Sequence, residues 1–216
     1  MPDLADGFVR LAHLPAQAVS RFLFDLEVTG SENLPDRGGV VFAANHFSLV
    51  DPFVVSVALG RHVRYLALDE LYGSSRMLDG VLGFFRAIPT DRVGYPVGAL
   101  RTAIDHVTAG GAVGVFPEGR RVEYWGEDHP KRGAAWLAWM TGAPLIPVAV
   151  YGSGGTLGPG DERFRRTSVR VWMGPQLAWY DYAGAEDPLG AMMSDWHAWV
   201  DGRLDPWMGS APNGRS

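Results

Sequence analysis

The chain has 216 residues, a length that suits one domain with a substantial buried core and is short for two. Its 47% hydrophobic and 20% charged residues are typical of a globular protein, which excludes the disordered and collagen-like classes. The net charge of -5 lacks the basic footprint of a general nucleic-acid binder. Because there is no cysteine, the chain has no disulfide, thiolate metal ligand or acyl-cysteine intermediate.

Apolar side chains recur at roughly helical spacing before the first predicted strand. They are Phe8, Leu11, Val19, Phe22 and Leu26, with Pro15 dividing them between two short helices. We therefore predict an N-terminal helical segment over residues 1–29. Its apolar face either covers the core of its own domain or lies in a lipid surface.

Two further features bear on contact with membranes. The sequence has no stretch of the ~20 apolar residues that a transmembrane helix requires, and no secretory signal pattern. We therefore expect the protein to be soluble or attached to a membrane only at its surface. The tryptophans lie in the second half of the chain, at Trp125, Trp136, Trp139, Trp172, Trp179, Trp196, Trp199 and Trp207. They indicate either ordinary packing or a membrane interface, where an amphipathic ring is stable.

Short β-rich apolar runs alternate with helical patterns from residue 30 onward, as in α/β domains. Predicted strands are Val40–Ala44, Val63–Leu68, 87–90, 112–116, Leu145–Tyr151 and Ser168–Met173. Predicted helices are 52–59, 75–84, Val97–Thr108, 132–141 and 188–204. We predict a single α/β domain over residues 30–207, with a mixed, largely parallel sheet flanked by helices. Residues 152–166 are predicted to form an exposed loop, and 208–216 a flexible tail.

A histidine and an aspartate follow the first predicted strand, just where a helix begins. Asp51 before Pro52 resembles an N-cap with proline at the first helical position, whereas Ser48 and Asp51 have the spacing of a capping box. The sequence leaves both placements open. On one continuous helix, residues five apart point about 140° away from each other, so His46 and Asp51 would not meet.

If His46 instead lies in the turn before the helix, the chain can fold back so that the carboxylate of Asp51 reaches the imidazole. The carboxylate then fixes the tautomer on one ring nitrogen and leaves the other to accept a proton. General-base catalysis on a hydroxyl group needs this arrangement. A histidine near an aspartate is common, however, and Asp51 alone is also explained as a helix cap.

Basic residues gather around the ends of several predicted strands. Arg86 and Arg92 flank the strand at 87–90, Arg120 and Arg121 follow the strand at 112–116, and Lys131 precedes a helix. Open α/β sheets bind ligands in the crevice at the carboxyl ends of their strands. In a chain of negative net charge, these basic side chains indicate an anionic ligand, most naturally a phosphate.

Four segments in this order resemble the motifs of the glycerolipid acyltransferase family, whose best-known members are 1-acylglycerol-3-phosphate acyltransferases. The segments are Asn45-His46-Phe47-Ser48-Leu49-Val50-Asp51, Phe85-Arg86-Ala87-Ile88-Pro89-Thr90-Asp91-Arg92, Phe116-Pro117-Glu118-Gly119 and Ala143-Pro144-Leu145-Ile146-Pro147-Val148-Ala149. The resemblance covers about residues 30 to 152. It implies an acyltransferase domain that moves a fatty acyl chain from acyl-CoA or acyl carrier protein to a hydroxyl of a phosphorylated lyso-lipid.

The resemblance also implies roles for particular residues. His46 is the general base, Asp51 orients it, Arg86 binds the phosphate of the acceptor, and Glu118 with Gly119 binds its glycerol portion. The remaining predicted substrate-binding residues are Asn45, Ser48, Arg92, Arg120, Arg121 and Lys131. Family members often carry a small hydroxylated residue where this chain has Arg120, which leaves open stronger phosphate binding or a different anionic head group. No metal and no cofactor is expected beyond the acyl thioester co-substrate.

These expectations place the protein in the cytoplasm, peripherally on the cytoplasmic face of a membrane. The rival enzyme classes lack their motifs. Gly152-Ser153-Gly154 has no glycine two residues before its serine, as a serine hydrolase needs, and no phosphate-binding loop sequence is present. The histidines other than His46 lack the paired spacing of metal ligands. A non-catalytic lipid-binding protein of the same fold is the alternative from a different class.

Overall fold

The structure, a computed structural model, describes residues 24–73, 76–90, 97–161 and 163–208. Its strands are β1 (Asp25–Thr29), β2 (Val40–Ala44), β3 (Val63–Leu68), β4 (Ile88–Thr90), β5 (Ala112–Val115), β6 (Leu145–Tyr151) and β7 (Ser168–Met173). Its helices are α1 (Asp51–Leu59), α2 (Arg76–Phe84), α3 (Val97–Thr108), α4 (Gly133–Thr141), α5 (Gly154–Leu157) and α6 (Pro188–Met208). Short 3-10 turns lie at Ser31–Asn33, Asp69–Leu71 and Trp179–Asp181.

Within the described residues, the strands form one sheet in the order β1-β7-β6-β2-β5-β3-β4. Neighbouring strands from β6 to β4 are parallel, β7 is antiparallel to β6, and β1 is parallel to β7. Strands β2 to β6 therefore all end at one edge of the sheet, which we call the carboxyl edge. The predicted single α/β domain with a mixed, largely parallel sheet is confirmed.

The central strand β2 is buried on both faces, as its continuous apolar sequence predicts for a parallel sheet. Val41 and Ala43 face a core built with α3, α4 and α6, whereas Val40, Phe42 and Ala44 face a core built with α1. The sheet thus has helices on both faces, and its carboxyl edge remains between the two layers. The indole Nε1–H of Trp196 in α6 donates to the Ala43 carbonyl at 2.8 Å and fixes that helix on the strand.

Most predicted elements agree with the structure to within a residue. Strands β2, β3, β6 and β7 and helix α3 have the predicted bounds, while α6 continues to Met208, into the predicted tail. Residues 154–157 form the short helix α5 inside the predicted loop. Residues 1–23 and 209–216 lie outside the described residues, so the helices predicted for 1–23 and the flexible tail after Met208 stay predictions.

The C-terminal end of the predicted N-terminal helical segment is a strand instead. Residues Asp25–Thr29 form β1, which pairs in parallel with β7 from Asp25 opposite Ser168 to Thr29 opposite Trp172. The helical prediction for these five residues was wrong because Leu26 fits the helical spacing of the apolar residues before it. The alternation of polar and apolar residues over 25–29 is the signal of a half-exposed strand.

The structure distributes the tryptophans between the core and the surface. Trp196 and Trp125 are buried in the core beneath α6, and Trp139 is 46% exposed on α4. Among the described helices, none is both long enough and apolar enough to cross a membrane.

Candidate active site

His46 and Asp51 meet at the carboxyl edge, in the turn between β2 and α1. The Nδ1 atom of His46 lies 2.8 Å from Oδ2 of Asp51. His46 precedes the helix and Asp51 is its first residue, so the chain folds back as predicted. The His46 side chain is 15% exposed while that of Asp51 is fully buried, and among the described residues no hydrogen bond to Nε2 is found. This geometry keeps the proton on Nδ1 and leaves Nε2 to accept one.

The carboxylate of Asp51 also holds the backbone of the loop that precedes it. Its Oδ2 accepts the backbone N–H groups of Phe47 at 2.8 Å and Ser48 at 2.7 Å, besides the bond to His46. The bond to Ser48 is the reach-back half of a capping box, although the N-cap itself is Val50. One oxygen therefore orients both the imidazole and the loop that carries it.

Two predicted substrate-binding residues support this loop instead. The amide of Asn45 is fully buried, donates to the Val150 carbonyl at 2.8 Å and accepts the Val150 N–H at 2.7 Å. Ser48 is likewise buried, and its hydroxyl donates to the Leu157 carbonyl at 3.0 Å. The prediction of substrate contact is therefore corrected for both, because their polar atoms are occupied by β6 and α5.

The loop after β5 forms backbone contacts with the loop between β2 and α1, which carries His46. The N–H of Val122 donates to the His46 carbonyl at 2.8 Å, and the N–H of His46 donates to Oε1 of Glu118 at 3.3 Å. Gly119 has a φ of 75°, a left-handed conformation that favours glycine. A side chain at Gly119 would collide with the ammonium of Lys131. The structure therefore brings Glu118, Gly119 and Lys131 together beside His46.

Glu118 is a buried acid whose environment favours the neutral form. Burial raises the pKa of its carboxyl to about 8, and the nearby charges of Asp51 and Asp128 act in the same direction. Hydrogen bonds from backbone N–H groups, including that of His46, only partly oppose this shift. At neutral pH the carboxyl is therefore mostly protonated, and it accepts the His46 N–H without placing a second full charge beside Asp51.

The basic residues predicted to follow β5 have different surroundings. Arg120 is paired with Glu127 and Asp128, each at 2.6 Å, so its guanidinium stabilises the loop over residues 120–128. The contact of Arg120 with an anionic head group stays a prediction. Arg121 precedes Val122, the residue bonded to His46, and thus lies beside the catalytic loop. Lys131 is exposed, and none of the ion pairs found among the described residues involves it or Arg121.

The structure does not bring Arg86 to this group. Arg86 precedes β4, and its carbonyl accepts a bond of 2.8 Å from Nε of Arg64. Since Ile88 pairs with Leu66 and Arg64 with Val113, Arg86 lies level with the middle of β5. Val41 of β2 also pairs with Val113, and His46 follows Val41 by five residues toward the carboxyl edge. The predicted phosphate contact of Arg86 is therefore not supported. Arg92 lies outside the described residues.

The sequence did not reveal an aromatic stack beside His46. The ring of His46 lies against that of Phe116, with centroids 3.9 Å apart and planes inclined by 16°. The ring of Tyr65 is also stacked with that of Phe116, with centroids 5.5 Å apart and planes inclined by 12°. Phe116 is part of the third motif, so the sequence pointed to this residue. The stacking with Tyr65 depends on the pairing of β3 with β5, which no local sequence pattern predicts.

Among the described residues, no group of three or more His, Cys, Asp or Glu side chains is arranged to hold a metal ion. At the carboxyl edge the site contains the His46–Asp51 pair, the neutral carboxyl of Glu118 and the basic side chain of Lys131. That set suits proton removal from a hydroxyl near an anionic group.

Known proteins are similar to this chain in sequence and in fold. The sequence model of the family described as Acyltransferase matches residues 25–151. The 1-acyl-sn-glycerol-3-phosphate acyltransferase of Bacillus subtilis (strain 168) is 33% identical over 171 residues, which are 77% of this chain and 82% of that protein. The protein of the same name from Borreliella burgdorferi is 29% identical over 126 residues, 57% of this chain and 50% of that one. This second match spans half of its relative.

A solved structure supports the same fold. The crystal structure of the 1-acyl-sn-glycerophosphate (LPA) acyltransferase PlsC from Thermotoga maritima superposes with a TM-score of 0.72 and 22% sequence identity, covering 90% of this chain and 79% of that one. The family match spans β1 to β6 and includes His46, Asp51 and Glu118. The chain belongs to the Acyltransferase family.

Proposed function

We propose that this protein transfers a fatty acyl chain from a thioester to the free hydroxyl of a phosphorylated lyso-lipid, with 1-acylglycerol-3-phosphate as acceptor and phosphatidic acid as product. The observation that carries the proposal is the His46–Asp51 contact of 2.8 Å at the carboxyl edge of the sheet. The names of the Bacillus subtilis and Borreliella burgdorferi relatives support the choice of acceptor.

In this mechanism Nε2 of His46 removes the proton of the acceptor hydroxyl as its oxygen attacks the thioester carbonyl. Asp51 stabilises the imidazolium that forms. The tetrahedral intermediate then collapses to the new ester and the thiolate of the donor, which takes up the proton from His46. General-base assistance of this kind contributes ~10²–10⁴-fold in rate. The proposal needs no covalent enzyme intermediate, metal or cofactor, so turnover should persist in the presence of a chelator.

The phosphate of the acceptor is proposed to bind Lys131 and Arg121. Lys131 lies against Gly119, next to Glu118, and Arg121 is one residue from the Val122 N–H that holds His46. The ammonium of Lys131 and the backbone of Arg121 therefore lie close to the loop that carries His46. Arg86 is left out because its backbone lies level with the middle of β5.

The donor is proposed to be acyl-CoA or acyl carrier protein, and the setting the cytoplasmic face of a membrane, to which the protein binds peripherally. The acceptor itself supports this setting, since a lyso-lipid partitions into membranes. Two alternatives remain from the sequence: acyl transfer to a different anionic acceptor, and lipid binding without catalysis. The ion pairs of Arg120 with Glu127 and Asp128 support the first proposal over a different head group.

A thiol-release assay tests the proposal directly. Purified protein is given acyl-CoA with 1-acylglycerol-3-phosphate, and free thiol and phosphatidic acid are measured together. We expect the two products in equal amounts, and little thiol when a monoacylglycerol without phosphate replaces the acceptor. Equal rates with both acceptors would reject the phosphorylated acceptor. Binding of the lyso-lipid with no thiol release from acyl-CoA or acyl carrier protein would establish the non-catalytic alternative.

A further inference from the structure

The general base is stacked on an aromatic ring that no motif role explains. Phe116 lies parallel to the His46 imidazole, 16° from coplanar, with ring centroids 3.9 Å apart. The Asp51 carboxylate approaches the same imidazole at its Nδ1 edge, at 2.8 Å. The imidazole thus has negative charge at one edge and a π face beneath it, while its Nε2 edge is left for the acceptor hydroxyl.

Helix α1 fixes both rings that stack with Phe116. The ring of Tyr65 is nearly parallel to that of Phe116, and the Tyr65 hydroxyl donates to the Pro52 carbonyl at 3.1 Å and lies 3.2 Å from Oγ of Ser56. His46 is tied to Asp51, the first residue of the same helix. Both aromatic neighbours of Phe116 are therefore anchored to α1, which favours a fixed stack.

The charged groups near the imidazole do not contact the ring face that stacks on Phe116. Asp51 bonds to the ring edge, while Glu118 accepts the backbone N–H of His46 and not the ring. Asp128 acts electrostatically on Glu118, and Lys131 lies beyond Gly119. The negative face of an aromatic ring attracts a cation in contact with it more strongly than it attracts a neutral ring.

We propose that Phe116 is a positioning residue that fixes the plane of His46 and stabilises its imidazolium in the transition state through a cation–π contact. An interaction that strengthens only when the imidazole becomes charged lowers the barrier instead of merely binding the ground state. This inference rests on the proposed role of His46 as general base. From the strength of such contacts, loss of the ring should reduce kcat by about 3- to 30-fold.

A series of fluorinated phenylalanines at position 116 separates this electrostatic role from packing. Each added fluorine withdraws charge from the ring face but changes the ring's size only slightly. We expect log kcat to fall steadily from phenylalanine through the mono-, di- and trifluorinated residues. We expect Phe116→Leu to lose about as much as the trifluorinated residue or more. A packing role alone would leave the fluorinated series flat.

Phe85 offers a matched control position. It is buried and packs edge-on against Tyr65, with centroids 5.7 Å apart, on the side of the stack away from His46. The same fluorinated series at Phe85 should leave kcat unchanged. A flat series at Phe116, or equal slopes at the two positions, would overturn the inference.

The protonated fraction of the His46 ring, followed by NMR at a fixed pH, gives a second readout that does not depend on turnover. It should decrease along the fluorinated series at Phe116 and stay constant along the series at Phe85. If this fraction decreases as expected while His46→Ala retains full turnover, the proposed general base is wrong and the contact with Phe116 stands. If the fraction does not respond, the contact itself is wrong.

Discussion

Glu118 and Asp51 show how burial divides two neighbouring carboxyl groups between different tasks. Asp51 is the first residue of α1, and its Oδ2 contacts the imidazole of His46 and two backbone N–H groups. Glu118 is as deeply buried, and its Oε2 has no hydrogen-bond partner among the described residues. Two charged carboxylates at this spacing would repel each other. Neutral Glu118 therefore accepts the backbone N–H of His46 and does not compete with the imidazole as a base.

This difference predicts a dependence of stability on pH. The folded-state pKa of Glu118 is raised to about 8 from an ordinary value of 4.5, so between these values the unfolded chain releases a proton that the folded chain keeps. The contribution of Glu118 to the free energy of unfolding therefore falls as pH rises through this window. We expect Glu118→Gln to gain stability relative to the wild type from about pH 4.5 to about 8, measured by urea unfolding.

Glu127→Gln is the control for this measurement. The half-buried Glu127 has its pKa lowered, first by the hydrogen bond from Arg120, so its contribution is lost only as the pH falls below the ordinary value. The free energy of unfolding of Glu127→Gln should change with pH in parallel with that of the wild type over the same window. A Glu118→Gln curve that also runs parallel to the wild type would mean that Glu118 is charged in the folded protein.

At the scale of elements, the site depends on the junction between the ends of β2 and β6. Asn45 is the residue after β2, and both polar atoms of its amide bond the backbone of Val150 in β6. The next residue is His46, so this pair of bonds sets where the catalytic loop leaves the sheet. An amide of this kind replaces a step of strand pairing where β2 has already ended.

Asn45→Ala should therefore lower the free energy of unfolding by about 2–6 kcal/mol, because it leaves a buried N–H and a buried carbonyl unpaired at about 1–3 kcal/mol each. Denaturant unfolding measures the loss. Asn33→Ala is the matched control, since the half-buried Asn33 side chain donates one bond of 2.9 Å, to the Met173 carbonyl. An equal, small effect of both substitutions would show that the junction is not held by Asn45.

The elements also show what a local pattern can and cannot predict. Strands β2 and β6 were predicted with their observed bounds because continuous apolar runs bounded by polar or glycine residues are strong local signals. Strand β1 was missed because its partner, β7, lies more than 140 positions along the chain. Its exposed residues carry little hydrophobic signal without that partner.

At the scale of the molecule, the sheet direction decides which basic residues reach the site. Residues that follow parallel strands gather at the carboxyl edge, whereas those that precede them lie toward the opposite edge. The sequence therefore predicted His46, Glu118 and Lys131 correctly as neighbours. Arg86 was grouped with them because it flanks a short predicted strand and its segment resembles a motif. It precedes β4, and the register with β3 leaves it level with Arg64.

This arrangement predicts different effects of removing two basic side chains. Lys131→Gln should raise the KM for 1-acylglycerol-3-phosphate by about 10-fold, as expected from losing a charged contact to a phosphate. Arg86→Gln should leave that KM unchanged. Steady-state kinetics at saturating acyl-CoA measure both. A rise in KM for Arg86→Gln with none for Lys131→Gln would show that the phosphate binds near Arg86, and would contradict its placement beside Lys131 at the carboxyl edge.

The most direct test of the whole account is the turnover of His46→Ala, with binding of the acceptor measured in parallel. We expect kcat to fall by ~10²–10⁴-fold, the contribution of a general base, while the Kd for 1-acylglycerol-3-phosphate changes little. His62→Ala, at the start of the strand that carries Arg64, serves as the control and should keep full activity. Undiminished turnover by His46→Ala in a folded protein would contradict the central claim that this histidine activates the acceptor hydroxyl.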